Sequence, residues 1–225
     1  MNAQQTIRFF RFLPRRAVRK FRDFIFAVRH GAESLPAEDF DRRTGLDTSK
    51  AGPVYRLDAI NGNYIHSMGY EPIAEDAFRR VMSLVPVSDF AQFTFVDLGC
   101  GKGKALFLAC EQGFQKATGV ELSPGLARVA AQNAERWSQG NVSIHCEDAA
   151  SWDWPRGPLV VFLYNPFDGK MMRAVMNHLH SSLRANPREC FVVYYSPAYE
   201  KVLLSMSWLR PEISTDNVRI YKVNL

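Results

Sequence analysis

From residue 93 onward, short apolar runs alternate with longer stretches in which apolar residues recur every three or four positions. Residues 93–98, 116–122, 141–146, Leu159–Leu163 and Cys190–Tyr195 have the length and the β-branched or aromatic content of strands. Leu159–Leu163 is apolar throughout, as a parallel strand covered on both faces must be. Between and around them, helical spacing predicts helices over 73–85 (Ile73, Ala77, Phe78, Val81, Leu84), 105–110, 125–137, 170–183 and 198–207. Ser123-Pro124 supplies a cap and first-turn pair for the third of these. Residues 209–214 and 218–223 read as a closing hairpin about Thr215-Asp216-Asn217. Strands alternating with helices predict an α/β fold: a Rossmann-like, seven-stranded, mostly parallel sheet flanked by helices, with the last strand antiparallel.

The first third of the chain follows another pattern. Residues 4–29 read as helical, with Phe10, Ala17, Phe21, Phe24 and Val28 on one side and arginines filling much of the rest. The protein has 225 residues and a net charge of +5, but residues 1–31 hold eight basic residues against Asp23 alone, so the remaining 194 carry −2. A basic arm on a nearly neutral body excludes a global duplex-binding patch. The expectation is an N-terminal basic helical arm (1–30) that docks its Phe stripe on the domain or on a second subunit. A second reading lays it on an anionic membrane surface. Residues 31–63, rich in Gly, Pro and polar residues, read as an irregular linker or lid with a short strand at 54–57, and 64–225 as the domain proper. No uninterrupted apolar run reaches 18 residues, and the four cysteines form no C-x-x-C pair. Together these predict reduced, mostly buried thiols in a cytoplasmic protein, peripheral to a membrane at most.

The chemistry concentrates where the first strand meets its helix, at Asp97-Leu98-Gly99-Cys100-Gly101-Lys102-Gly103-Lys104. A strand, a glycine turn and a helix make half of a Rossmann-like unit, which binds its ligand at the helix N-terminus. A dinucleotide loop, G-x-G-x-x-G from Gly99, needs glycine at 104, where the chain has Lys104. Glu121 ends the second strand 24 residues after Asp97, where a carboxylate can accept both hydroxyl protons of a ribose. That spacing suits any adenosine cofactor.

The pattern D-x-G-x-G-x-G resembles motif I of the class I S-adenosylmethionine-dependent methyltransferases. The resemblance covers about residues 64–225, and seven strands is that family's count; the likeness is nearest to uncharacterised bacterial members. It implies S-adenosyl-L-methionine as cofactor. Gly99, Cys100, Gly101 and Gly103 would wrap its methionine end, Asp97 would position its amino group, and Glu121-Leu122 would meet the ribose. It also implies that Asp148 and the amide of Ala149 read the adenine. Tyr164-Asn165-Pro166-Phe167 is similar to the Asn/Asp-Pro-Pro-Tyr/Phe of amide- and amine-methylating members, one proline short. It implies Asn165, Pro166 and Phe167 as the catalytic set, with Asn165 also beside the cofactor. Tyr70-Glu71-Pro72 is similar to a Tyr-x-Pro of protein-lysine methyltransferases, in which that segment covers the cofactor, so Tyr70 joins the implied cofactor set.

Methyl transfer needs mainly in-line positioning, and no histidine stands out as a general base: His145 lies in a strand, His178 and His180 on a helix. His178-x-His180 lacks neighbouring carboxylates or cysteines, so no metal is expected. The methyl acceptor is unidentified, with a protein side chain or a small molecule favoured over nucleic acid. Two alternatives stand beside this reading. One is a nicotinamide- or nucleotide-dependent Rossmann enzyme, with Lys102 and Lys104 available for phosphate. The other is a non-catalytic methyltransferase-like binding module.

Overall fold

A computed structural model describes residues 39–49 and 72–225. The arm at 1–30, the strand at 54–57 and Tyr70 lie outside the described residues.

The described chain runs α1 (Asp39–Thr44), α2 (Glu75–Met82), a 3₁₀ turn (Phe90–Gln92), β1 (Thr94–Leu98), α3 (Lys104–Glu111), β2 (Lys116–Val120), α4 (Pro124–Arg136), β3 (Asn141–His145), β4 (Leu159–Leu163), α5 (Gly169–Ala185), β5 (Cys190–Tyr195), α6 (Glu200–Leu204), β6 (Leu209–Ser214) and β7 (Val218–Val223). The seven strands form one sheet in the order β3-β2-β1-β4-β5-β7-β6. The first five are parallel, and β7 pairs antiparallel with both β5 and β6. This is the expected Rossmann-like architecture.

Each central strand is buried on both faces, and its two-residue period divides the core into two layers. Phe95, Val160, Phe162, Phe191 and Val193 point to one side, where α2 and α3 pack. Val96, Leu98, Val161, Leu163 and Val192 point to the other, against Met172, Val175, Met176 and Leu179 of α5. On the first side Phe95 meets Phe78, Phe114 and Phe162 at ring separations of 5.7, 5.2 and 5.8 Å. Trp152 and Trp154 are buried on the second side, as core packing requires. Caps stop the helices locally: Ser123 accepts from Leu126 N at the start of α4, and Asp168 from Met171 N at the start of α5.

The linker region departs from expectation. Within the stretch read as an irregular connection, Asp39–Thr44 forms a helix whose Phe40 is 1% exposed and joins the first core layer. Asp41 then accepts hydrogen bonds from the amides and hydroxyls of both Thr48 and Ser49. Burial pushes its carboxyl up, but these donors outweigh burial and hold it below the ordinary carboxylate range. Among the described residues no helix is long and apolar enough to cross a membrane.

The aromatic layer sets a stability expectation. Phe95→Ala should cost about 3–5 kcal/mol, because a fully buried ring leaves a cavity, whereas Leu204→Ala at a 57% exposed position should stay within about 0.5 kcal/mol. Urea unfolding of the two variants measures both.

Candidate functional site

The carboxyl ends of β1, β2 and β4 lie side by side, the position at which open parallel sheets take their ligands. β1 and β2 run in register through Asp97↔Gly119 and Leu98↔Val120. The loop after β1 then turns through Gly99, Gly101 and Gly103, all with positive φ (72°, 55° and 88°). Gly99 and Cys100 both donate to Val120 O, at 2.8 and 3.2 Å, which ties the loop to the end of β2. A Cβ on Gly99 would stand 2.7 Å from Pro166 Cβ, so this glycine lets the loops after β1 and β4 touch. Cys100 is buried, and a Cβ on Gly119 would come within 2.6 Å of its sulfur. Cys100 therefore shapes the loop from beneath.

Two carboxylates face this loop. Asp97 is 5% exposed, and among the described residues its carboxylate makes no hydrogen bond or ion pair. Burial, and then the nearby Glu121 charge, push its pKa well above the ordinary carboxylate range. Glu121 is 8% exposed and accepts from Gly101 N and Ser123 N, each at 2.8 Å. Burial raises its pKa despite these amides. One bond at each oxygen leaves lone pairs for further donors. Leu122 follows, half-buried. Along the edge, Glu121 N donates to His145 O, and Asp148 takes Ala150 N at 2.9 Å, which closes the turn over buried Ala149.

The β4 side is built differently from expectation. Asn165 has φ +48° and Ser196, at the end of β5, φ +53°. The Asn165 amide donates to Ser196 O at 2.7 Å, while its oxygen accepts from Tyr194 OH at 2.9 Å and Ala198 N at 3.1 Å. Its side chain thus clamps two strained loop tips together. Phe167 is 8% exposed and packs in the second core layer with the α5 residues. Its aromatic character serves the core. Pro166 stays half-buried against Gly99, between the two loops. Tyr164 and Tyr195 meet edge-on at 5.0 Å beside this clamp.

Lys102 and Lys104 are not offered to phosphate. Lys102 is 8% exposed with its ammonium 3.0 Å from Asp47 Oδ1, and Lys104 is 2% exposed with its ammonium 5.7 Å from the Phe40 ring centre. Sequence reasoning missed Asp47 and Asn133. Asn133 is 2% exposed on α4 and falls in register with buried Leu126 and Ala130. A lone amide on an apolar helical stripe was the available signal.

Residues 95–189 match the family model described as a methyltransferase domain. No curated protein matches the chain in sequence. The fold is similar to that of magnesium protoporphyrin IX methyltransferase from Synechocystis PCC 6803, solved with bound S-adenosylmethionine: TM-score 0.50, 17% identity, 67% of this chain and 79% of that one covered. It is also similar to the Escherichia coli protein yhhF, assigned as a methyltransferase: TM-score 0.52, 18% identity, 75% and 98% covered. The matched stretch covers less than half of the chain, and the seven-stranded fold is similar to that of these solved methyltransferases.

The carboxylates give a testable sign. Their folded pKa values lie above the unfolded ones, so the ligand-free folded state holds protons that the unfolded state has lost. Its stability therefore falls as pH rises from the ordinary carboxylate range through the raised values. Asp97→Asn keeps the shape, removes the buried charge and should flatten this decline. At neutral pH it should raise the melting temperature of the ligand-free protein by about 2–4 °C per kcal/mol relieved. Calorimetry across acid to neutral pH reads both effects.

Proposed function

We propose that this chain transfers the methyl group of S-adenosyl-L-methionine to a nitrogen or oxygen nucleophile on a small molecule or a protein side chain. The observation that carries the reading is the Asp97 carboxylate: buried, without a hydrogen-bonding partner among the described residues, and set beside three glycines in left-handed turns. Such a group fits a bound ammonium, which the methionine end of this cofactor has. The bound cofactor supplies a methyl carbon on a sulfonium, from which a neutral thioether leaves.

The protein's part is placement. Asp97 holds the amino group, and Glu121, itself fixed by the Gly101 and Ser123 amides, takes the ribose hydroxyls. Asp148 and Ala149 border the adenine. Asn165 serves as a positioning residue, because its oxygen already accepts two hydrogen bonds that hold the wall around Pro166 and Tyr164. That wall would fix the acceptor's approach, and a misplacement near 1 Å costs about 100-fold in rate. The nicotinamide reading loses support, since Lys102 is paired with Asp47 and residue 104 is not glycine.

Isothermal titration should show one site per chain for S-adenosylmethionine and S-adenosylhomocysteine. Asp97→Asn should weaken that binding about 10–100-fold, the worth of a charged hydrogen bond. Binding should also release protons and tighten as pH rises through the raised Asp97 value, because the cofactor ammonium selects the ionised carboxylate. Binding of NADH with none of S-adenosylmethionine would end the reading. Transfer of label from methyl-tritiated cofactor to cell-extract proteins and metabolites identifies the acceptor. In the same assay Asn165→Ala should lower transfer by about 100-fold while S-adenosylhomocysteine affinity is retained; parallel losses would make Asn165 a cofactor ligand.

A further inference from the structure

Residues 39–49 lie outside the stretch matched by the methyltransferase family model, yet they run onto the glycine loop. The segment is anchored at its start. Phe40 is in the first core layer against Trp137, and Arg43 bridges Glu75 of α2 and Glu111 of α3 at 3.1 and 2.6 Å. Asp41 folds the chain back by collecting Thr48 and Ser49. Asp47 is then presented to the loop.

Asp47 and Asn133 together grip Lys102, the residue between the second and third glycines. Asp47 Oδ1 pairs with the Lys102 ammonium at 3.0 Å. Asn133 accepts from Asp47 N at 3.1 Å and donates to Asp47 O at 2.9 Å and to Lys102 O at 3.0 Å. Both loop contacts fall on main-chain or charged atoms of one residue, opposite the Gly101 amide that Glu121 holds. A loop with three left-handed glycines has little conformational preference of its own, so outside contacts must fix its shape.

We propose that Asp47 and Asn133 are positioning residues for the cofactor loop, and that the 39–49 segment is a strap that preshapes it. The strap rests on the S-adenosylmethionine reading for its functional consequence, though not for its effect on the loop itself. Its action is preorganisation: a loop already held in the binding shape loses less freedom when the ligand arrives. Asp47 suits a test because its side chain is 45% exposed, so truncating it opens no core.

The test uses the full chain with Asp47→Ala, Asp47→Glu and Asn133→Ala. Titration with S-adenosylhomocysteine is run beside amide hydrogen exchange over residues 101–104. Asp47→Ala should weaken S-adenosylhomocysteine about tenfold and speed exchange in the loop, with a melting temperature close to wild type. Asp47→Glu should recover most of the affinity, and Asn133→Ala should reproduce the loop exchange. Unchanged affinity and exchange in Asp47→Ala would overturn the proposal, as would a uniform rise in exchange across the domain. If wild type takes no S-adenosylhomocysteine, the cofactor reading falls, and loop exchange alone decides whether the strap sets the loop.

Discussion

Holding two carboxylates out of water at adjacent strand ends is the constraint around which this domain is arranged. Asp97 and Glu121 repel each other and lack a bulk dielectric, so each raises the energy of the ligand-free fold. The surrounding backbone answers that penalty only in part. Gly101 and Ser123 turn their amides to Glu121, and nothing among the described residues does so for Asp97. The glycine loop takes its left-handed course to deliver the Gly101 amide. Gly119, in register with Asp97, leaves the room that Cys100 and Leu106 fill beneath it. The sheet is rigid enough to sustain the mismatch because its central strands are buried on both faces. A positive group placed beside Asp97 would relieve it.

Much of this was legible in the sequence because it is written in local periodicity. The parallel strands, the caps at Ser123 and Asp168 and the closing hairpin each depend on residues within a few positions of one another. The glycine loop was legible for the same reason. The segment at 39–49 was not. Its helix is six residues long, and its one decisive apolar group, Phe40, meets Trp137, almost a hundred positions away. Polar residues such as Asp41, Thr48 and Ser49 resemble any surface turn until their mutual bonding is seen.

Asn165 and the two lysines teach the opposite lesson, that a residue type can be read correctly and its engagement missed. An Asn before Pro at a strand tip suggested an amide open to an acceptor, yet its oxygen is occupied by a tyrosine hydroxyl and a backbone amide. Lysines flanking a glycine suggested phosphate, yet both are buried, one against a carboxylate and one over an aromatic ring. Side-chain chemistry sets what a residue can do. Competition among neighbours for its donors and acceptors decides what it does, and sequence order alone does not show the competitors.

β7 is the last strand in the chain but second from the edge of the sheet, between β5 and β6. Among the described residues β6 therefore has no sheet partner except a strand that is made after it. As the chain leaves the ribosome, the five parallel strands can assemble in order while β6 waits, its backbone groups exposed as an unpaired edge. Completion comes only when β7 slots between its neighbours, and until then the β6 edge is open to mispairing. The carboxyl ends of β1, β2 and β4 and the glycine loop between them are all made before that last pair of strands.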